Sequence, residues 1–200
     1  MSRDVVFALA KRRSSIRDFL NEKVLLEDVL YAISTALQAP SGANRQPWRY
    51  IIIEDETLKS KIRKLCENAE KKFYESNLVD WFKEWVRKRG ISWKKPFLTE
   101  APYLIAVFAD IKAPYAKESV WLAIGYLLLA LEEKRLSSVT YTPPNFEEIR
   151  TLLGVPKGYK LETIIPVGKK AKEKIKEPRM EIKDVVYINK WGEGVGYAKS

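Results

Sequence analysis

A chain of 200 residues, 46% hydrophobic and 31% charged, is long enough for a packed interior and has an ordinary globular profile. The single cysteine, Cys66, excludes an intrachain disulfide and a cysteine metal cluster. The absence of histidine removes Ser–His, Cys–His and histidine–zinc chemistry. Any proton donor is therefore a carboxylic acid, Tyr, Lys, a hydroxyl, water or a cofactor, and no metal site is expected. A formal charge of +10 favours anionic ligands such as a phosphate or a carboxylate. Lys and Arg interleaved with Glu, without a nucleic-acid motif, argue against nucleic acid as the partner.

In chain order, Asp4–Arg13 is predicted as a helix with Val5, Phe7, Ala8 and Leu9 toward the core. A second helix, Leu26–Leu37, carries Val29, Leu30, Ile33 and Leu37 as its apolar stripe and Glu27-Asp28 near its N-terminus. Arg49–Ile53 is predicted as a strand, with Ile51-Ile52-Ile53 buried on both faces. Thr57 is expected to cap a long helix bearing Leu58, Ile62, Leu65 and Ala69. A densely aromatic and cationic stretch follows over 69–98. Ala101-Pro102 then introduces a strand over Tyr103–Ala109, and Glu118–Glu133 is a helix. Val139–Thr142 is expected as a strand, Phe146–Leu153 as a short helix and Leu161–Val167 as the last core strand.

The remainder, Lys169–Ser200, has the composition of an extended tail embracing something. Helices alternating with strands give an α+β class in a single domain over 1–200. The longest apolar run, Val120–Leu131, is shorter than the roughly 20 residues needed to span a bilayer. It fits either a central core helix or one buried against a second subunit. The opening MSRDVVFALAKRR holds too short an apolar run for a signal peptide. The expectation is a cytoplasmic protein without membrane contact.

Two stretches carry the chemistry. In Ala39–Trp48, APSGANRQPW, Pro40 removes a donor and Gly42 allows bare backbone to approach a ligand. Ser41 and Asn44 add short donors suited to ring carbonyls and ring nitrogens. Upstream, Arg13-Ser14-Ser15-Ile16-Arg17-Asp18-Phe19 places forked donors and hydroxyls at a spacing that suits a phosphate or polar heterocycle, or else a solvated basic face. In the aromatic stretch, Glu70 and Tyr74 are four apart and so share a helix face, and Lys95 follows a turn around Gly90. Carboxylate, phenol and ammonium together suit a zwitterion, and ordinary surface charge is the alternative.

RxSxRxF followed by APSGxNxQPW resembles the N-terminal signature of the nitroreductase-like flavoprotein superfamily. Val139-Thr140-Tyr141-Thr142-Pro143-Pro144-Asn145, Arg150–Pro156, Lys160-Leu161 and Pro166-Val167-Gly168 resemble the C-terminal half of its iodotyrosine deiodinase branch. The likeness covers nearly the whole chain. It implies a three-layer α-β-α fold and an intertwined homodimer with two flavin sites at the interface. In its register Glu70, Tyr74 and Lys95 fall on the residues that hold the substrate zwitterion, within a lid over about 69–98. It further implies that Arg13, Ser14, Ser15 and Arg17 hold FMN, that Ser41 and Gly42 contact its ring system, and that Ala43 offers backbone to the substrate phenolate. Thr140, Tyr141 and Thr142 match the segment facing the flavin, with Thr142 as the hydrogen-bond donor to N5. Arg179 is the expected phosphate contact from the tail, with Lys176 as its competitor.

The implied activity is FMN-dependent reductive dehalogenation of halotyrosines, iodotyrosine yielding tyrosine and iodide, with the flavin cycling through its semiquinone. Electrons would come from NAD(P)H or a separate reductase. Two departures are visible: Asn44-Arg45-Gln46 is closer to general nitroreductases than to the animal deiodinases, and Tyr141 interrupts what is an all-threonine segment there. The alternative is a general NAD(P)H-dependent nitroreductase or flavin reductase acting on nitroaromatics or quinones.

Overall fold

The computed structural model describes residues 4–76 and 79–194; the first three residues of the expected domain, two of the expected lid and the last six of the tail lie outside them. Helices α1 (Val5–Arg12) and α2 (Leu26–Ala36) precede strand β1 (Trp48–Ile53). Helices α3 (Glu56–Glu75), α4 (Asp80–Lys88) and α5 (Phe97–Glu100) lead to β2 (Tyr103–Asp110). Then come α6 (Ala116–Glu133), β3 (Ser137–Ser138), α7 (Phe146–Leu152) and β4 (Tyr159–Gly168), and α8 (Ile182–Val185) is one turn within the tail.

The strands form one antiparallel sheet in the order β1-β2-β4-β3. Alternate residues of a strand face opposite sides. Ile105, Val107 and Ala109 of β2, with Ile165 and Val167 of β4, pack beneath Val29, Ala32 and Ala36 of α2 and Ala123, Ile124 and Leu127 of α6. Leu104, Ala106 and Phe108, with Leu161 and Ile164, face Ile62 and Cys66 of α3, Phe97 and Leu98 of α5 and Ile149 of α7. Both faces are thus covered, which is why β2 is a continuous apolar run, and the three layers are α-β-α. Val107 pairs with Thr163 but Phe108 with Leu161, so Glu162 is the extra residue of a β-bulge. That bulge puts Leu161 and Ile164, three apart, on one face. It leaves the Glu162 carboxylate to accept from Trp121 Nε1 of α6 at 3.1 Å.

Several expectations are corrected. No residue of α1 is buried, and Phe7 is 66% exposed; side chains anchor the end of the helix, through Arg12 to Glu132 of α6 and through Lys176 to the Ala10 carbonyl. The small residues Ala32 and Ala36 join Val29 as the buried face of α2, leaving Leu30 and Leu37 outside. Ile51 and Ile52 are only half-buried, since β1 is an edge strand. The cap of α3 is Asp55, whose carboxylate accepts from Leu58 N at 2.6 Å, and Thr57 already lies inside the helix. The expected strand at Val139–Thr142 reduces to Ser137–Ser138 plus a single bridge between Tyr141 and Ile164. The tail is extended apart from α8 and a Tyr187–Gly194 bridge. Among the described residues no helix is long and apolar enough to cross a membrane.

Leu127 is fully buried between α6 and the sheet. Leu127→Ala is expected to lower stability by about 2–5 kcal/mol, measured as a lower urea midpoint at unchanged slope.

Candidate functional site: a cation cluster beside a buried charge clamp

The segment after α1 turns back along the sheet, with Ser15 bridging Ser138 beyond α6. This brings Arg13 and Arg17 against the first part of the tail, where Lys174 Nζ donates to Ser15 O at 3.0 Å and Lys176 Nζ donates to Ala10 O. Burial lowers the pKa of the Arg13 guanidinium, with Arg179 adding to the shift; burial also lowers Arg17. The Lys174 and Lys176 ammonium groups are likewise lowered, first by burial and then by Arg17 and Arg13 respectively. Five cations repelling one another around Ser14 and Ser15 make a candidate anion site, because a bound phosphate would relieve these repulsions. Lys174 was not singled out from the sequence. It lies in a lysine-rich run, and only the path of the tail distinguishes it from its neighbours.

Beside this cluster the clamp is assembled. Lys95 Nζ lies 3.1 Å from Glu70 Oε2, 2.6 Å from the Ser92 carbonyl and 5.4 Å from the centre of the Tyr74 ring. Glu70 and Lys95 are both more than nine-tenths buried. The Tyr74 phenol is raised above its ordinary range, by burial first and by Glu70 second, with Arg17 opposing; Arg17 therefore links the cation cluster to the clamp. Tyr141 adds a fourth member, its hydroxyl donating to Glu70 Oε1 at 3.0 Å and its ring 5.8 Å from Lys95 Nζ. The Tyr141 main chain is paired in both directions with Ile164, so all its polar groups are taken. Burial, then Cys66 and Glu70, keep its phenol protonated as a donor. Thr142, the next residue, is exposed, with only a long 3.4 Å contact from its hydroxyl to the Glu162 carbonyl. Thr140 is half-buried beside them.

Helix α4 covers this region: Phe82 packs edge-on to Phe73 of α3, and Arg89 beyond α4 forms a forked pair with Glu177 of the tail at 2.8 and 3.0 Å. Arg179 donates to the Glu177 carbonyl at 2.8 Å. The cation cluster, the Glu70–Lys95 pair and α4 thus converge in one chain.

The loop bearing Ser41, Gly42, Ala43 and Asn44 is elsewhere. It packs on the start of α6, where the Gly42 amide donates to Ser119 Oγ at 3.2 Å. A Cβ at Gly42 would lie 2.8 Å from the Pro114 carbonyl and 2.9 Å from the Tyr115 ring, so the glycine serves this contact as well as any ligand. Ala43, Asn44 and Gln46 all have positive φ, between 46° and 53°. Such left-handed residues cost free energy and collect at functional sites. The amides of Gly42, Asn44, Arg45 and Gln46 are bonded to Ser119, Ser41, Gly42 and Ser41, leaving that of Ala43 without an acceptor among the described residues. The cation cluster reaches the other end of α6 through Glu132, which bonds Arg12 and acts on Arg13. From Ser119 to Glu132 is about 20 Å along the helix.

This fold and these residues define a class. The chain belongs to the nitroreductase family, its residues 10–169 matching that family. It is 53% identical over 178 residues, 89% of this chain and 95% of that protein, to an iodotyrosine deiodinase of Thermotoga neapolitana. It is 36% identical over 178 residues to iodotyrosine deiodinase 1 of Homo sapiens, covering 84% of this chain and 62% of that protein. A solved structure of oxidized iodotyrosine deiodinase bound to FMN and 3-iodo-L-tyrosine matches with a TM-score of 0.89 and 52% identity, over 93% of this chain and all of that one. A nitroreductase with bound FMN from Desulfitobacterium hafniense, 22% identical, matches with a TM-score of 0.74 over 93% of this chain and 98% of that one, a likeness of fold.

Cys66, one turn before Glu70 on α3, is fully buried, and burial pushes its thiol up to about 12. An unfolded thiol ionises near its ordinary value of 9.0, so between pH 9 and about 12 this group weakens the fold progressively as pH rises. Native protein is therefore expected to resist iodoacetamide at pH 8.5 and to react fully once denatured, as counted by intact mass.

Proposed function

We propose that this protein is an FMN-dependent halotyrosine dehalogenase that converts iodotyrosine to tyrosine and iodide. The buried cluster of Glu70, Tyr74 and Lys95 carries the proposal, because it suits an amino acid's two charges and has no evident use for a simple nitroaromatic. Glu70 takes the α-ammonium, while Lys95 and the Tyr74 hydroxyl take the α-carboxylate. The Ala43 amide donates to the phenolate oxygen. Arg13, Ser14, Ser15 and Arg17, joined by Lys174 and Arg179, hold the phosphate and polar end of FMN, and Ser41, Gly42 and Asn44 face its ring system. Thr140, Tyr141 and Thr142 form the wall beside the ring, with the Thr142 hydroxyl directed to N5. When bound and reduced, FMN supplies two electrons in single steps. The carbon–iodine bond breaks, iodine leaves as iodide, and the ring carbon gains a proton. NAD(P)H or a separate reductase restores the electrons.

The site is proposed to be shared between two copies. The loop at Ser41–Asn44 and the cation cluster lie toward opposite ends of α6, too far apart to serve one flavin from a single chain. A homodimer supplies the loop of one copy to the cations of the other. The exposed apolar residues Val6 and Phe7 of α1, Leu122 and Tyr126 of α6, and Met180 and Trp191 of the tail support the same assembly.

Sedimentation velocity is expected to give a species of twice the 23.1 kDa chain mass; a monomer that binds FMN at full affinity would contradict the shared site. The activity is tested anaerobically, with FMN-loaded protein reduced by dithionite and iodide release followed from 3-iodotyrosine. Prompt release is expected, with Lys95→Ala lowering kcat/KM at least about thirtyfold by leaving Glu70 unpaired. Bound, reducible FMN without iodide release would leave a general nitroreductase as the better account.

A further inference from the structure

We infer that Glu67, which touches neither anion cluster nor clamp carboxylate, is the positioning residue that sets the Lys95 arm for recognition of the substrate zwitterion. The inference rests on the dehalogenase reading above and deepens it.

Along α3, positions 59, 63, 67, 70 and 74 recur at intervals of three and four and so share one face. That face grips the segment returning from α4 to β2. At its lower end Lys59, fully buried, donates to the Ala101 carbonyl at 2.9 Å and pairs with Glu56 at 2.7 Å. Arg63 donates to Thr99 Oγ1 at 2.8 Å. Glu67 Oε1 accepts from the Lys95 main-chain N–H at 2.7 Å and from Arg63 Nε at 2.8 Å. Glu70 and Tyr74 then meet the Lys95 side chain.

Each contact has a reason in local chemistry. Lys95 opens the turn that becomes α5, its carbonyl accepting from Leu98 N at 3.1 Å. Its own N–H belongs to the first turn and has no helical acceptor. A carboxylate accepting it makes a charge-assisted bond, stronger than a neutral one. The lysine stem is long and flexible, so an ammonium is placed reproducibly only when its main chain is held and its stem is walled. Glu67 does the first, and the Tyr74 and Tyr141 rings do the second. Of the three ammonium donors, Ser92 O and Glu70 take two, leaving one for a ligand carboxylate. Truncating Glu67 frees the Lys95 amide and Arg63 together, and small displacements of a binding group are costly when geometry is tight. The effect falls on the arm that reads the carboxylate, and neither Glu67 nor Arg63 is among the residues proposed above to contact the flavin.

Glu67→Ala and Glu67→Gln are compared with wild type and Lys95→Ala as FMN-loaded, dithionite-reduced protein. The substrates are 3-iodotyrosine and 2-iodophenol, the latter lacking both amino-acid charges, and FMN affinity and Tm are measured alongside. Glu67→Ala is expected to raise KM for 3-iodotyrosine about tenfold, with kcat and 2-iodophenol turnover within about twofold of wild type. Glu67→Gln keeps an acceptor for the Lys95 amide and is expected to stay within about threefold of wild type in KM. Parallel losses on both substrates, or loss of FMN or folding in Glu67→Ala, would assign Glu67 to stability and overturn the inference. An unchanged KM in Glu67→Ala, with Lys95→Ala defective, would overturn it while leaving the dehalogenase standing. Absence of iodide release from wild type would sink both.

Discussion

The Glu70–Lys95 ion pair is the constraint on which the rest of the site depends. Two opposite charges lie almost out of water, 3.1 Å apart. Removing them from water costs several kcal/mol per ion, offset only by good geometry and further hydrogen bonds. The surroundings supply these: Tyr141 serves one carboxylate oxygen, the Ser92 carbonyl serves the ammonium, and two tyrosine rings flank it. Such a pair contributes less to stability than a well-packed apolar cluster would. Its charges are complementary to those of a zwitterion, which is why the proposed substrate clamp is placed there.

That requirement orders the neighbouring elements. Helix α3 carries Glu70 and Tyr74 and grips the return segment that carries Lys95. Tyr141 reaches the same carboxylate from the sheet side, pinned by Ile164, while Thr142 points away from it as extended neighbours do. One dipeptide thus contributes to both the clamp and the wall ascribed to the flavin. Arg17 acts on both Tyr74 of the clamp and Lys174 of the tail, so the two clusters are electrostatically continuous. A chain lacking histidine is consistent with this design, because orientation and charge fall to the protein and electron transfer to the cofactor.

Helix α6 imposes the second constraint. Its length separates the loop at Ser41–Asn44 from the cation cluster, and it leaves the apolar residues Leu122 and Tyr126 exposed. The left-handed residues of that loop leave the Ala43 amide without an acceptor among the described residues, at the far end of the helix. That separation is the observation behind the proposal that two copies share the site.

Much of this was legible in the sequence because it is local. Strand and helix identities followed from continuous apolar runs and 3.6-residue spacing, the cations from RxSxRxF, and the Glu70–Tyr74 face from an interval of four. What failed was whatever depends on neighbours. Ile51 and Ile52 have the composition of a central strand, yet β1 is an edge. Val5 and Phe7 are periodic, yet nothing among the described residues covers them. The sequence by itself determined the residue chemistry and the layer architecture. Only the tertiary structure decided that Tyr141 supports Glu70, that Lys174 joins the cations, that Glu67 holds the Lys95 amide, and that the loop at Ser41–Asn44 lies away from them. These are contacts between segments far apart in the chain, and periodicity carries no record of which faces will meet.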